Sequence, residues 1–261
     1  MLACVINASD GRNRDVIDAL AAAAGEDLLD VHADAWHNRS VLTVVGEEAP
    51  RRITDVAVER IDLRRHRGVH PRLGAVDVVP FVPLEGSTMA DAVRARDEYA
   101  AWSPVPCLRY GEDLDIGLPD LRRTFRSSGV VPHPTAGITV VGARRPLVAY
   151  NVWLDGESLR TARGLAAAVR SPGTVRALGL AVGTGVQVSM NLITPMACGP
   201  AEVYDAIASR ARVARAELVG LLPRAVLERV PSSRWRELDL FEDRTIEARL
   251  AARRPNTGTR P

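Results

Sequence analysis

Residues 28–45, LLDVHADAWHNRSVLTVV, contain two apolar segments rich in β-branched residues on either side of a short polar link. The segments at 28–33 and 40–45 are predicted to be strands, because this composition is typical of pleated, half-buried backbone. The link at 34–39 is short enough to close a hairpin. The other elements of this half of the chain are arranged around that hairpin.

A strand and a helix are predicted on each side of the hairpin. Residues 2–6 form an apolar strand that ends in a polar turn, where Ser9 and Asp10 are candidates to cap the helix that follows. After the hairpin, a second helix is predicted at 50–63 and a strongly apolar strand at 76–82. The order of elements in this half is therefore βαββαβ.

The same order of elements recurs in the second half of the chain. It consists of a strand at 147–154, a helix at 157–169, strands at 175–182 and 186–192, a helix at 200–214 and a strand at 218–222. A helix at 89–102, a strand at 105–110 and a connector at 111–137, rich in Gly, Pro, Ser and Arg, are predicted between the two units.

Each βαββαβ unit resembles a split βαβ, ferredoxin-like sandwich. The predicted fold class is α+β, with two ferredoxin-like subdomains and a ligand groove between them, because ligands tend to bind between such halves. The predicted boundaries are 1–144 for the N-terminal subdomain, 145–251 for the C-terminal subdomain and 252–261 for a flexible tail.

Composition excludes several classes of protein. The chain has 261 residues, 46% of them hydrophobic, and a chain of this length buries roughly three quarters of its unfolded surface. All 34 basic residues are arginines, which excludes Schiff-base catalysis by lysine and a P-loop lysine. With 32 acidic residues the net charge is +2, which is too balanced for a general nucleic-acid-binding protein and fits a small anionic ligand better.

The cysteines and the N-terminus also narrow the possibilities. Cys4, Cys107 and Cys198 lie far apart and form no C-x-x-C pair, so a zinc ribbon, a thioredoxin-type site and a disulfide scaffold are not indicated. Reduced thiols in a cytoplasmic protein are expected. The chain begins without a basic, apolar leader, and no window reaches the roughly 18 apolar residues of a membrane span, so neither export nor membrane insertion is predicted.

Polar residues that helix and strand patterns do not explain occur in four loops. The loops are residues 7–12, residues 37–39, residues 65–77 and residues 133–137. The first is also typical of a plain helix cap and the second of a surface hairpin turn, and both alternatives stay open. The third, RHRGVHPRLGAVD, combines two histidines and three arginines with two glycines and a proline, directly before a buried strand.

Three interpretations of residues 65–77 compete. His66 and His70 have the i,i+4 spacing of a helical metal-ligand pair, but Gly68 and Pro71 disfavour a helix and no H-E-x-x-H motif accompanies them. The arginines suit a nucleic-acid surface, but the loop has no aromatic residue on which bases stack. The favoured interpretation, without a metal ion, is a histidine general acid or base beside arginines that bind a carboxylated substrate.

The segment HRGVHPRLGAVDVVPF at 66–81 resembles the signature H-K-G-E-H-P-R-x-G-A-x-D-V-x-P-F of the glutamate formiminotransferases, enzymes of histidine breakdown. Further similar segments are NASDGR (7–12), DVHADAWHNRSVLTVVG (30–46), HPTAG (133–137), GAR (142–144), QVSMNL (187–192) and ELVGLLP (217–223). The resemblance covers nearly the whole chain, in order. It implies a stand-alone form without the cyclodeaminase domain that some members carry.

This resemblance implies a reaction and a set of site residues. The reaction is transfer of the formimino group from N-formimino-L-glutamate to N5 of tetrahydrofolate, a co-substrate bound between the two subdomains. The family's catalytic histidine, which is followed by proline and arginine, is His70 here, and its expected role is general base. The family's folate-contacting segment corresponds to Ser128, Gly129, Val130, Val131, Pro132, His133, Pro134, Thr135, Ala136 and Gly137.

The remaining predicted site residues are polar. Arg39 and Arg72 are candidates for binding the glutamate carboxylates, because a guanidinium binds a carboxylate in bidentate fashion. The other predicted substrate contacts are Asn7, Asn38, His66 and Asn191. The expected partners are these small molecules, with neither nucleic acid nor membrane, and a homodimer is possible because family members commonly associate.

Two departures from the family pattern leave alternatives open. Val69 replaces the glutamate that precedes the catalytic histidine, which removes a carboxylate from the site. The connector at 111–128 is about half the usual length, although LPDLR at 118–122 is similar to the family's L-P-x-x-R. The alternatives are a transferase that uses a different formimino donor and a catalytically idle paralogue that binds folate or another small acid.

Overall fold

The structure is a computed structural model and describes residues 1–69 and 71–253. The strands of the first half are β1 (Leu2–Ala8), β2 (Leu28–Asp34), β3 (Arg39–Val45), β4 (Val76–Pro83), β5 (Cys107–Gly111) and β6 (Thr139–Ala143). Its helices are α1 (Arg14–Ala24), α2 (Glu48–Arg60), α3 (Met89–Trp102) and α4 (Leu118–Thr124).

The second half repeats the same kinds of element. Its strands are β7 (Val148–Leu154), β8 (Val175–Val182), β9 (Gly185–Leu192) and β10 (Val213–Val219). Its helices are α5 (Leu159–Val169), α6 (Pro200–Ala208), α7 (Arg224–Glu228) and α8 (Ile246–Ala252). The predicted hairpin between α1 and α2 is confirmed, since β2 pairs with β3 in antiparallel register from Leu28 to Asp34.

The two sheets share one topology, and the α+β fold class is confirmed. The first sheet has the strand order β2-β3-β1-β4-β6-β5 and the second has the order β10-β7-β9-β8. Both contain the order fourth, first, third, second strand, with antiparallel pairing, which a split βαβ unit produces. Alternate residues of β1, such as Cys4 and Ile6, are buried against α1 and α2, so one face of the sheet forms the core.

Strand β6 does not follow from the sequence patterns. It lies between β4 and β5 and runs parallel to both, which extends the first sheet to six strands. All five of its residues are buried. A five-residue segment that contains Gly142 has little strand signal of its own, and its place in the sheet depends on neighbours that are distant in sequence.

Other predicted bounds require correction. Helix α6 ends at Ala208, not residue 214, and β10 begins at Val213, not residue 218, because the segment VARAELV pairs with β7 despite its polar residues. Asn13 caps α1, since its side chain accepts a hydrogen bond from the backbone N–H of Asp15. The predicted cap Asp10 instead accepts hydrogen bonds from the backbone N–H groups of Arg12 and Asn13, one turn earlier.

The predicted connector contains helix α4, which packs on the sheet. Leu118 and Leu121 contact the cluster formed by Val78, Tyr110 and Val140, on the face of the sheet opposite to α1. At the other end of the chain, Ala252 ends α8 and Arg253 forms an ion pair with Asp27 at 3.0 Å. Residues 254–261 of the predicted tail lie outside the described residues.

The two halves of the chain meet through an apolar cluster. Leu29 and Val45 of the first half are buried against Leu221 and Ile246 of the second, and Leu84 and Leu250 pack around them. Within the described ranges, no helix is long and apolar enough to cross a membrane. The apolar cluster thus holds the two sheets together.

Candidate functional site

Four loops meet at one edge of the first sheet. Ser9, directly after β1, donates from its backbone N–H to Ala75 and from its hydroxyl to the Gly74 carbonyl, both at 2.7 Å. The loop before β6 also reaches this place, because the backbone N–H of Ala75 donates to Ala136 at 2.8 Å. The loops at 7–12, 37–39, 65–77 and 133–137, which the sequence singles out separately, thus form one surface.

Two glycines allow the third and fourth loops to approach each other. Gly74 and Gly137 form an antiparallel bridge. A Cβ atom at Gly74 would overlap the carbonyl of Ile138, and one at Gly137, where φ is +70°, would overlap the carbonyl of Leu73. Only glycine fits at such a close approach of two backbones, which explains why each motif carries one at this point.

Asn38 connects three of the loops. It adopts a left-handed conformation with φ of 49°, which asparagine tolerates better than most residues. Its side-chain oxygen accepts a hydrogen bond from the backbone N–H of Gly11, and its amide donates to the carbonyl of Arg67, both at 3.0 Å. The side chain is therefore used to hold loops together within the described structure.

Both ring nitrogens of His66 have partners. Its Nε2 lies 2.9 Å from the carbonyl of Asn38, which can only accept, so this nitrogen carries the proton. Its Nδ1 then accepts a hydrogen bond from Nη1 of Arg72. Burial lowers the pKa of His66, and the neighbouring Arg72 lowers it further against the opposing effect of the Asn38 carbonyl. His66 is accordingly a neutral ring that orients an arginine.

Arginine side chains lie near a buried carboxylate beside this histidine. Arg39 donates to the side-chain oxygen of Asn7, and burial lowers the pKa of Arg39 to about 10, although Asp77 raises it. Arg72 and Arg122 lie close enough to lower the pKa of Arg39 further. Arg122 forms an ion pair with the carboxylate of Asp77, which is 2% exposed. Asp77 also raises the pKa values of Arg39 and Arg72, and Asp34 acts on Arg39 in the same way, so three guanidinium groups lie near two carboxylates. The surplus of positive charge makes this part of the site suited to an anionic ligand.

His37 joins the two subdomains. Nδ1 of His37 lies 3.1 Å from the carboxylate of Asp34, and its Nε2 lies 3.3 Å from Nε2 of Gln187 in β9. Burial raises the pKa of Asp34, but hydrogen bonds from His37 and the backbone N–H of Trp36 outweigh that effect and lower the pKa to about 2. Asp34 stays ionised and accepts from His37, whose other ring nitrogen is within hydrogen-bonding distance of the Gln187 side-chain amide.

Gln187 brings the second subdomain to the site. Its side chain is fully buried, and its carbonyl oxygen has no hydrogen-bond partner among residues 1–69 and 71–253. The indole of Trp36 spans the same gap, because a Cβ atom at Gly183 would touch the Trp36 ring. Trp36 is nevertheless 58% exposed, and the nearby Val69 is 49% exposed, so the rim of the site at this point is apolar.

The structure brings some of the predicted site residues together and separates others. Asn7, Asn38, Arg39, His66 and Arg72 lie in direct contact with one another or with a shared partner. His70, the predicted general base, lies outside the described residues.

The end of the predicted folate segment, residues 133–137, is one of the four loops of the site, whereas Asn191 lies further along β9. His133 accepts a hydrogen bond at Nδ1 from the backbone N–H of Ala136 at 3.1 Å, so its ring stabilises the turn that bridges to Gly74. Residues 128, 129, 131, 132 and 134 are exposed. Asn191 follows Gln187 on the same face of β9, roughly 13 Å further along the strand.

Several residues of the site were not among the predicted ones. They are Asp34, His37, Asp77, Arg122 and Gln187. The spacing of Asp34 and His37 in a tight hairpin turn would have indicated their contact, and Gln187 belongs to one of the segments noted for its resemblance. No sequence pattern indicates the pairing of Asp77 with Arg122. No group of three or more metal-ligating side chains occurs among the residues that the structure describes.

Comparison with known proteins agrees with this arrangement of motifs. The N-terminal subdomain of the formiminotransferase domain matches residues 1–144, more than half of the chain. The chain belongs to the formiminotransferase family. Membership of that family makes it a transferase of one-carbon groups.

Individual relatives extend the similarity beyond the N-terminal subdomain. The glutamate formimidoyltransferase of Streptococcus pyogenes is 34% identical over 86% of this chain and 89% of its own length. The one from Thermoplasma acidophilum is 32% identical over 98% and 99%. The formimidoyltransferase-cyclodeaminase of the pig, Sus scrofa, is 32% identical over 85% of this chain but only 50% of its own length. The similarity thus includes both subdomains.

Proposed function

We propose that this member of the formiminotransferase family transfers the formimino group from N-formimino-L-glutamate to N5 of tetrahydrofolate. The observation that supports this most is the group of three arginines, Arg39, Arg72 and Arg122, close to the buried carboxylate of Asp77 where the four loops meet. The donor carries two carboxylates, and a site with surplus guanidinium groups favours binding them. The names of the relatives point to the same donor class.

In the proposed mechanism, His70 is the general base. It removes the proton from N5 as this nitrogen attacks the amidinium carbon of the donor, and a tetrahedral adduct forms. The protonated imidazole then donates a proton to the departing glutamate nitrogen as the carbon–nitrogen bond breaks. Proton transfer of this kind contributes about 10² to 10⁴ in rate. The three other histidines of the loops are less suited to this role. His66 and His37 already use both ring nitrogens, and Nδ1 of His133 accepts a hydrogen bond from the backbone of its own turn.

Binding of the two substrates is divided between the loops in this proposal. Arg39 and Arg72 bind the carboxylates of the donor, and Asn7 and Asn38 stand beside them. The segment at 128–137 and Asn191 bind tetrahydrofolate along the groove between the subdomains. The location proposed for the enzyme is the cytoplasm, with its three cysteines reduced, and homodimer formation stays a prediction.

A second candidate function is binding of folate or another small acid without turnover. Val69 supports it, because an exposed apolar side chain stands where the resemblance places a carboxylate. A transferase with a different donor is compatible with the same observation. The shortened connector is weaker support for a lost pocket, since helix α4 within it packs against the sheet and contacts loop 65–77.

The test is an assay of the purified chain with N-formimino-L-glutamate and tetrahydrofolate. Formation of 5-formiminotetrahydrofolate is followed by absorbance and mass spectrometry, and tetrahydrofolate binding is measured by calorimetry. We expect the wild-type protein to turn over the two substrates. For His70→Ala we expect a loss of about 10² to 10⁴ in kcat, with tetrahydrofolate binding unchanged. Leu178→Ala is the control, because this side chain is 50% exposed and lies outside the four loops.

Each result selects one of the candidates. Wild-type binding of tetrahydrofolate without turnover on any formimino donor would establish the binding protein. Turnover that His70→Ala leaves unchanged would exclude His70 as the base while retaining the transferase.

A further inference from the structure

Arg122 contacts the loop at 65–77 from outside it. The residue lies in helix α4 of the predicted connector, yet its Nη1 donates a hydrogen bond to the carbonyl of Pro71 at 2.8 Å. Its Nη2 forms an ion pair with the carboxylate of Asp77. The Arg122 side chain is 19% exposed and that of Asp77 is 2% exposed, so water competes little for either contact. A residue 45 positions away in sequence thus stabilises this loop.

The two contacts hold the peptide groups on both sides of Arg72. The Pro71 carbonyl belongs to the peptide group that precedes Arg72, and it is bound by Arg122. The N–H of Leu73 belongs to the peptide group that follows Arg72, and it donates to Oδ1 of Asp77 at 2.6 Å. Because Arg122 and Asp77 are themselves paired, one ion pair fixes both peptide planes and hence the direction in which the Arg72 side chain leaves the backbone.

The guanidinium of Arg72 has a specific position that depends on this direction. It donates to Nδ1 of His66, whose other ring nitrogen is held by the Asn38 carbonyl. A rotation of either peptide group would displace the guanidinium from His66. Arginine has a long and flexible side chain, so the position of its guanidinium group depends both on the backbone from which it starts and on the partner that it binds.

We propose that Arg122, through its ion pair with Asp77, is a positioning residue that aims Arg72 at a carboxylate of the substrate. This inference rests on the proposed function. It assigns a functional role to the connector helix α4, which carries no substrate contact in that proposal. The alternative is that Arg122 only fastens α4 to the sheet, a task that Leu118 and Leu121 already perform.

The neighbouring Arg123 provides a matched control. It lies in the same helix and forms an ion pair with Asp120 of that helix, but its side chain is 75% exposed. Arg122→Met and Arg123→Met remove the same charge and the same number of donors at adjacent positions. A general loss of helix charge or propensity therefore affects both variants alike, while loss of the contact to Pro71 and Asp77 affects only the first.

The experiment compares kinetics with a measurement that does not depend on activity. For Arg122→Met we expect the KM for N-formimino-L-glutamate to rise roughly 10-fold, with kcat changed by less than about 3-fold, because one charge-assisted hydrogen-bonded contact is lost from binding. The nitrogen NMR signals of the His66 ring should change from a fixed Nε2–H tautomer to a mixture. Arg123→Met should match wild type in both measurements.

A conservative variant keeps the test decisive if Arg122→Met folds poorly. Arg122→Lys retains a positive charge for Asp77 but cannot bind the Pro71 carbonyl and the carboxylate in the same planar fork. We expect it to keep the thermal stability of wild type and to show an intermediate KM and an intermediate His66 spectrum. A KM and a His66 spectrum equal to wild type in a folded Arg122→Met or Arg122→Lys protein would overturn the proposal.

The kinetic and NMR results together test the role of Arg122 separately from the proposed transferase activity. Absence of wild-type turnover would count against the transferase, and the NMR comparison would still test whether Arg122 positions Arg72. Normal wild-type turnover with unaltered KM and unaltered His66 signals in the Arg122 variants would leave the transferase in place and remove the positioning role.

Discussion

His66 shows how a single residue acquires its role from contacts that its sequence position does not reveal. Its spacing from His70 and its arginine neighbours allow a metal ligand, a base or a substrate contact. In the structure, Asn38 accepts from one ring nitrogen and Arg72 donates to the other. An imidazole with both nitrogens engaged is a poor acid or base, so its contribution is to orient Arg72.

Arg96 illustrates the energetic importance of a buried charge. Its side chain is 2% exposed and forms a bidentate contact with Asp113, at 2.7 and 2.8 Å, and a further ion pair with Asp97 at 2.9 Å. Arg94, two residues earlier in α3, forms ion pairs with Glu47 and Glu98 but is 50% exposed. The two positions therefore differ mainly in burial.

We predict that Arg96→Met lowers the free energy of unfolding by about 2 kcal/mol. This is less than the roughly 3–5 kcal/mol for a fully buried pair, because Asp97 and Asp113 remain partly hydrated. Arg94→Met should have a smaller effect, since exposed ion pairs contribute little. Denaturant unfolding at pH 7 measures both free energies. Equal effects of the two substitutions would contradict the conclusion that burial makes the Arg96 ion pairs the more important ones.

The same comparison has a defined pH dependence. Hydrogen bonds from Arg96 lower the pKa values of Asp97 and Asp113 in the folded state. A carboxyl with a depressed folded pKa stabilises the protein above its unfolded pKa, about 4, and that stabilisation is lost as the pH falls through the folded value. The difference between wild type and Arg96→Met should therefore shrink below about pH 4.

At the scale of secondary structure, β6 depends on how its neighbours approach it. Gly142 allows the ring of Tyr110, from the adjacent strand β5, to lie directly over the β6 backbone. That ring belongs to the cluster on which α4 packs. One glycine thus couples the inserted strand to the connector helix.

We predict that Gly142→Ala lowers the free energy of unfolding by about 1–3 kcal/mol, because the new methyl group would overlap the Tyr110 ring and force it to move. Gly164→Ala is the control. It lies in α5, exposed, with open space around its Cβ position, so it should stabilise the protein by about 0.5–1 kcal/mol through its higher helix propensity. Thermal unfolding measures both, and effects of the same sign would be inconsistent with this packing.

At the scale of the whole molecule, the cluster of Leu29, Val45, Leu221 and Ile246 joins the two sheets. It uses residues that neither subdomain could bury alone. The polar contacts His37 to Gln187 and His32 to Glu217 lie on the same interface. The second half therefore reaches the site through Gln187, while the four loops themselves belong to the first half.

We predict that Leu221→Ala lowers the free energy of unfolding by about 2–4 kcal/mol, as expected for a leucine removed from a packed cluster. Leu178→Ala should have little effect, because Leu178 is 50% exposed. Calorimetry should show that Leu221→Ala lowers the unfolding temperature of both halves together. Separate transitions already present in the wild type would contradict a rigid interface.

We also predict a pH-dependent contribution from His32 at this interface. Burial lowers its pKa, with Arg244 acting in the same direction and Glu217, Asp30 and Asp34 opposing. A histidine with a lowered folded pKa binds fewer protons than in the unfolded chain, so stability is complete above about pH 6.5 and is lost as the pH falls below it. His32→Gln should flatten the decrease in unfolding temperature between pH 7.5 and 5.5, and an unchanged slope would refute the assignment.

The sequence alone determines the order of the elements and the composition of the loops. The hairpin at 28–45, the βαββαβ order of both halves and helix α3 are confirmed because their signals repeat every two or every three to four residues. The family resemblance can also be recognised from the sequence, because each loop motif, such as HPTAG, is a contiguous run of residues.

Only the tertiary structure decides which of those loops meet and what each side chain does there. Strand β6, the contact of His37 with Gln187 and the pairing of Arg122 with Asp77 join residues far apart in sequence. Local periodicity reports the conformation of a segment and the face that it buries, but it carries no information on the path by which distant segments return to one place. The position of Arg72 therefore follows from the fold, while its presence in the loop is read directly from the sequence.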